Sequence, residues 1–242
     1  MKNLFQLHLD NLARTKQPVN LVKNASEATL FIYDVISADW GVSALSVIDA
    51  ITQAGDCKTL NICISSPGGD VFESRAIMAA IDRFPGKTVA HIDSLCASAA
   101  TSIALACDEV HMAQGALFMV HNASGLAYGD KQAMRDTADL LQKVELSIIK
   151  DYTDKTGKPA AEVIAWMDAE TWMTASEALA NGFIDSVVEP KAKAKAKNTW
   201  NLSAFKNPPP PDPANETPPE PAPAAGFFTS VANANRLRLS LI

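Results

Sequence analysis

Between residues 29 and 180 the chain alternates short apolar runs with stretches in which apolar residues recur every three or four positions. The runs 29–36, 59–64 and 88–92 are rich in Val, Ile, Leu and Thr and predict strands, whereas 42–53, 72–84 and 99–106 carry the period of amphipathic helices. Strands and helices in strict alternation build a mostly parallel sheet with helices on its faces, so the expected class is α/β. A longer helix is predicted from Lys131 to Lys155, where Met134, Ala138, Leu141, Val144 and Ile148 mark one buried stripe, and Gly157 and Pro159 end it. A helix over 160–167, a short strand at Trp172 and Met173, and a helix over 175–180 closed by Asn181-Gly182 complete the pattern.

The pattern breaks after Glu189. An alternating Lys/Ala tract (191–197) is followed by nine prolines between Pro208 and Pro223, a composition that forms neither helix nor ladder and should run extended. The expected organisation is therefore an N-terminal segment (1–27), a folded domain (28–189), a disordered Lys/Ala- and Pro-rich linker (190–225) and a C-terminal apolar segment (226–242).

Charge divides along the same line. Residues 1–189 hold 14 Lys and Arg against 24 Asp and Glu, net −10, whereas residues 190–242 hold 7 against 3, net +4. An acidic domain lacks the basic face on which nucleic-acid binding rests, so that function is not expected. Cys57, Cys63, Cys96 and Cys107 form no C-x-x-C pair and three lie in apolar stretches, which predicts buried free thiols rather than a disulfide framework or a zinc site. Neither an apolar leader nor a run long enough to cross a bilayer is present, so a cytoplasmic protein with no membrane association is expected.

Candidate chemistry centres on Ser98, in Cys96-Ala97-Ser98-Ala99-Ala100-Thr101, where a predicted strand gives way to a helix of small residues. A hydroxyl at such a turn is held out toward substrate beside the unpaired N–H groups of the helix start. The turn Pro67-Gly68-Gly69-Asp70 lies about thirty residues upstream and could supply a second N–H donor. A serine needs a base, and the base needs an acid to fix its tautomer. Of the four histidines, His121 ends the apolar run 116–120, and sites in open α/β sheets gather at the carboxyl ends of strands. His91 and His111 read as ordinary strand residues and His8 precedes the periodic region. Asp168 and Glu170 both precede Trp172 at a helix-to-strand junction, and spacing alone does not choose between them.

Four motifs in order, Ile64-Ser65-Ser66-Pro67-Gly68-Gly69, Ala97-Ser98-Ala99, Met119-Val120-His121-Asn122, and Thr174-Ala175-Ser176-Glu177-Ala178 with Gly182-Phe183-Ile184-Asp185, resemble the Clp protease proteolytic subunit family. The likeness covers residues 28–189 and is greatest to the shorter Clp-like proteases of phage and prophage head modules. It implies the Clp/crotonase-like fold, a βαβ superhelical spiral, with Ser98 as nucleophile, His121 as general base and the backbone N–H groups of Gly69 and Ala99 as oxyanion hole. The family's aspartate stands three residues before the Met/Leu-Ser/Thr-Ala segment; that register implies Glu170, a longer carboxylate, with Asp168 as fallback. The resemblance also implies polypeptide substrates, no cofactor or metal, and a homo-oligomeric ring, a heptamer or stacked rings, formed through the helix that begins at Lys131.

The first 27 residues do not resemble the family's axial-loop segment, and no G-x-x-x-x-G-K-[ST] phosphate loop occurs, so any ATP dependence would come from an unfoldase ATPase partner. The phage likeness implies processing of scaffold or capsid proteins in host cytoplasm or procapsid, with the Pro-rich tail as tether. Two alternatives share the fold: an acyl-CoA enzyme of the crotonase group, in which Ser98 and His121 would have no task, and a catalytically idle scaffold protein.

Overall fold

The computed structural model describes residues 19–39, 41–189, 202 and 205–209. All belong to the first of two compact units, Met1–Pro209; the second, Pro210–Ile242, lies outside the described residues, as do His8, the Lys/Ala tract and the apolar segment 226–242.

The sheet runs β1 (Asn20–Lys23), β2 (Glu27–Ile32), β3 (Thr59–Ser66), β4 (Lys87–Ala97), β5 (Glu109–Ala113) and β8 (Ser186–Val188), with β6 (Leu117–Val120) pairing β4 and then β7 (Thr171–Thr174). Pairings β2–β3, β3–β4, β4–β5, β4–β6 and β5–β8 are parallel; β1–β2 and β6–β7 are antiparallel. Helices α1 (Ala44–Ala54), α2 (Val71–Ile81) and α3 (Ala99–Leu105) fall between these strands as the periodicity predicts. Side chains alternate in burial along β3, where Leu60, Ile62 and Ile64 are fully buried, and Val47, Ile77 and Ile103 bring the three helices onto the same core.

Strand β4 forks the sheet. Its first half pairs β5 from Val89 to Ile92, and its second half pairs β6 from Leu95 to Ala97. The sequence pattern ended this strand at Ile92; it continues to the residue before Ser98, because Leu95, Cys96 and Ala97 are all fully buried between two faces. Strands β1 and β8 were not foreseen, being four and three residues long and largely unburied.

Helix α4 spans Lys131–Thr156, starts with the Asp130 carboxylate accepting from the Gln132 and Ala133 amides, and ends at Gly157 in the left-handed region. The buried stripe predicted along it is present only near its C-terminal end, where Ile148 and Tyr152 are buried. The Tyr152 hydroxyl lies 2.6 Å from Thr101 Oγ1, and its ring meets Phe183 edge-on. Met134 and Ala138 are instead exposed, because no described residue packs over that face of the N-terminal half. Helices α5 (Ala160–Asp168) and α6 (Ala175–Ala180) bracket β7. The four cysteines are free, three buried and Cys63 half-buried. Among the described residues no helix is long and apolar enough to cross a membrane.

A second apolar cluster forms away from the main core. Leu95, Ala97 and Met119 carry Leu202, with Leu117, Trp172 and Phe205 packed around them. Leu202 and Phe205 belong to the stretch expected to be disordered linker; these two residues are instead packed on the domain. Burying Leu202 contributes on the order of 2 kcal/mol, against a comparable cost of ordering each residue's backbone.

Candidate active site

Ser98 sits where β4 meets α3, and its backbone is strained: φ is 54° and ψ −129°. Positive φ occurs at two non-glycine residues among those described, Ser98 and Glu170. Such conformations cost of order 1–3 kcal/mol and persist only where the surroundings impose them. At Ser98 the imposition is visible. Its N–H donates to Met119 O at 2.9 Å, and its carbonyl accepts from Thr101 N and Thr101 Oγ1 at 2.9 and 2.6 Å. The hydroxyl is thereby turned off both strand and helix.

The glycine turn lies directly against this elbow. Buried Ser66 accepts the Gly68 amide through its Oγ at 3.1 Å, Ile36 donates to Gly68 O at 2.8 Å, and the Asp70 amide returns to Ile36 O at 2.8 Å. A Cβ on Gly68, at φ +90°, would lie 2.6 Å from Ala97 O and 2.7 Å from Ser98 Cβ; one on Gly69 would lie 2.1 Å from Ile36 O. Only glycine lets these two chain segments approach so closely. The Gly69 amide stands outside the turn's own hydrogen bonds, and the Ala99 amide, in the first turn of α3, has no intrahelical acceptor.

His121 follows β6, whose pairing with β4 sets it beside the elbow: its Nε2 lies 2.7 Å from Ser98 Oγ. Burial pushes the His121 imidazole below its usual pKa and the Lys206 charge pushes the same way, while the Glu170 charge opposes them. The ring is therefore neutral, and able to accept a proton, at neutral pH. His91 and His111 lie side by side on β4 and β5 instead, His91 with Asn61 at 3.0 Å and His111 with Ser186 at 2.7 Å.

The two carboxylates are in different surroundings. Asp168 is exposed and accepts from Asn122 Nδ2 at 2.7 Å. Glu170 is buried, 5% exposed, and it is the carboxylate whose charge acts on His121. Its Oε2 accepts from the Lys206 amide at 2.8 Å, and its Oε1 accepts from the Asn207 amide at 2.7 Å and from Trp172 Nε1 at 3.4 Å. Asn207 Nδ2 also donates to Ala169 O at 3.0 Å, and the Phe205 ring stands edge-on to both His121 and Trp172, with centroids 5.6 and 5.5 Å apart. Sequence reasoning did not single out Gly68, Trp172 or residues 205–207. Only Gly68 stood in a motif; the others gave no signal of their own. Among the described residues, no cluster of His, Cys, Asp or Glu could hold a metal ion.

A serine on a strand-to-helix elbow and a histidine within hydrogen-bond reach thus stand together on a parallel sheet flanked by helices, with the buried Glu170 acting on that histidine through its charge, no hydrogen bond joining the two side chains. The chain belongs to the Clp protease family, whose model matches residues 14–191. It is 26% identical over 163 residues to the ATP-dependent Clp protease proteolytic subunit 1 of Protochlamydia amoebophila, covering 66% of this chain and 79% of that one. Over 166 residues it is 28% identical to the ATP-dependent Clp protease proteolytic subunit of Citrus sinensis, covering 66% and 84%. A solved structure of a ClpP1 mutant from Listeria monocytogenes shares the fold, with a TM-score of 0.61 at 19% identity over 78% of this chain and 98% of that one. The Clp/crotonase-like architecture implied by the sequence motifs is thus the one adopted.

Proposed function

We propose that the chain is a serine endopeptidase in which Ser98 is the nucleophile, His121 the general base and Glu170 the acid. His121 Nε2 takes the Ser98 proton as Oγ attacks the scissile carbonyl carbon. The oxyanion that forms is held by the Gly69 and Ala99 amides. His121 then gives its proton to the departing amine, leaving an acyl-enzyme, and water activated by the same imidazole releases the second product. The observation that carries this reading is the 2.7 Å approach of His121 Nε2 to a serine held at positive φ. The test is reaction of the full chain with a fluorophosphonate: the adduct should map to Ser98 and be lost in Ser98→Ala. A folded chain whose Ser98 stays unmodified overturns the reading.

The substrates are polypeptides, and the sites would lie inside a homo-oligomeric ring. What supports assembly is the apolar surface left open on and before α4, at Leu126, Met134, Leu140 and Leu146. Light scattering on the full chain checks it. The curated relatives are named as ATP-dependent, which favours a partner ATPase as the source of unfolded substrate. Processing of capsid or scaffold proteins is the finer reading that the phage likeness supports, with the Pro-rich tail as tether. Cleavage of a capsid or scaffold protein with no ATPase present favours the second; cleavage of folded proteins only with ATPase and ATP favours the first.

A further inference from the structure

We propose that Leu202 and residues 205–207 form a strap that positions Glu170, so that a segment beyond the last strand of the sheet belongs to the catalytic apparatus; this rests on the serine-peptidase reading above. A buried carboxylate is costly unless its oxygens are satisfied, and here each oxygen takes a backbone N–H from the strap, from Lys206 at 2.8 Å and Asn207 at 2.7 Å. The third donor, Trp172 Nε1, stands at 3.4 Å and cannot orient the group alone. Two amides from adjacent residues fix both oxygens of the carboxylate, which a single donor would not.

The rest of the strap is built to hold those amides in place. Leu202 is buried in a cluster with Leu95, Ala97 and Met119, on the strands that lead to Ser98 and His121, and Phe205 packs edge-on to the rings of His121 and Trp172. Asn207 adds its own side-chain bond to Ala169 O. With the strap in place, the Ser98–His121 pair stands at 2.7 Å. The strap therefore engages the acid while leaving the serine and histidine in hydrogen-bond contact.

Proline scanning of the full chain tests the assignment, since Lys206→Pro and Asn207→Pro each delete one N–H donor to Glu170. Each should lower kcat on a fluorogenic peptide by about tenfold to a hundredfold, the scale of a lost hydrogen bond to a charged group or of a misplaced reacting group, with KM within about twofold. Asn207→Ala, which keeps the amide and loses only the bond to Ala169, should fall far less than Asn207→Pro. Phe205→Ser, which keeps both amides but loosens their anchor, should lower kcat in the same direction, and it decides the matter if a proline variant does not fold. Folded proline variants with wild-type or raised kcat overturn the assignment, and raised kcat would mark the strap as an inhibitor. An inert wild-type chain refutes the peptidase reading and the strap with it; an active wild type with unaffected variants refutes the strap alone.

Discussion

Replacing Gly68 by alanine should damage both the stability of this protein and its turnover, for reasons that can be separated. The added Cβ meets backbone on two sides, Ala97 O at 2.6 Å and Ala99 N at 2.9 Å, besides Ser98 Cβ at 2.7 Å. None of these is the far end of a flexible side chain, so the elbow itself must shift. Positive φ costs an alanine about 1–2 kcal/mol and overpacking of a tight site about 1–3 kcal/mol more, a sum of roughly 2–5 kcal/mol. Set against a total stability of about 5–15 kcal/mol, that should lower the urea midpoint by about 1–2 M. Displacing Ser98 by about 1 Å from His121 should cost about a hundredfold in kcat, and smaller shifts less. Gly157→Ala is the control: that glycine also has positive φ, at +66°, but its Cβ would meet nothing within 4 Å. It should cost only about 1 kcal/mol and leave turnover intact. Urea melts and peptide hydrolysis on the two variants give the answer. A Gly68→Ala protein with wild-type midpoint and kcat would show that the turn does not shape the elbow.

Glu170→Gln should lower kcat by about 10²- to 10⁴-fold, while Asp168→Asn, which loses only an exposed bond to Asn122, should stay within about threefold; the opposite order would move the acid's role to Asp168. The acid limb of kcat/KM should lie below the ordinary histidine value of about 6.5, because burial disfavours the protonated ring and the neutral base therefore persists to lower pH. Glu170→Gln, by removing the charge that opposes this shift, should move the limb lower still, and a limb at or above that value in the wild type would contradict the burial of His121.

The alternation of strand and helix was legible because each core strand is a run of Val, Ile and Leu long enough to stand out, and Ser98 and His121 could be placed because both follow such runs. Three things were hidden. The stripe on α4 is a property of the helix, but whether a stripe is buried depends on what stands opposite, and none of the described residues covers Met134 or Leu140. The positive φ at Ser98 goes with a contact remote in sequence, Met119 O on the Ser98 amide, of which local propensity carries no trace. Spacing could not rank Glu170 above Asp168, because what distinguishes them is the covering by residues 205–207. Those residues lie in a polar, proline-rich surround whose composition argues for an extended chain, and their contribution is through backbone amides, which any residue but proline carries.

The strap also sets an order in time. The parts of the site come along the chain as serine, histidine, acid and then the amides that hold the acid, with Lys206 and Asn207 more than eighty residues after His121. A ribosome adding about 5–20 residues per second delivers those amides several seconds after the histidine. If the strap holds the acid as proposed, Glu170 gains its two amide donors only after the last strand of the sheet, Ser186–Val188, has been made, so the acid is the last part of the site to be fixed during synthesis.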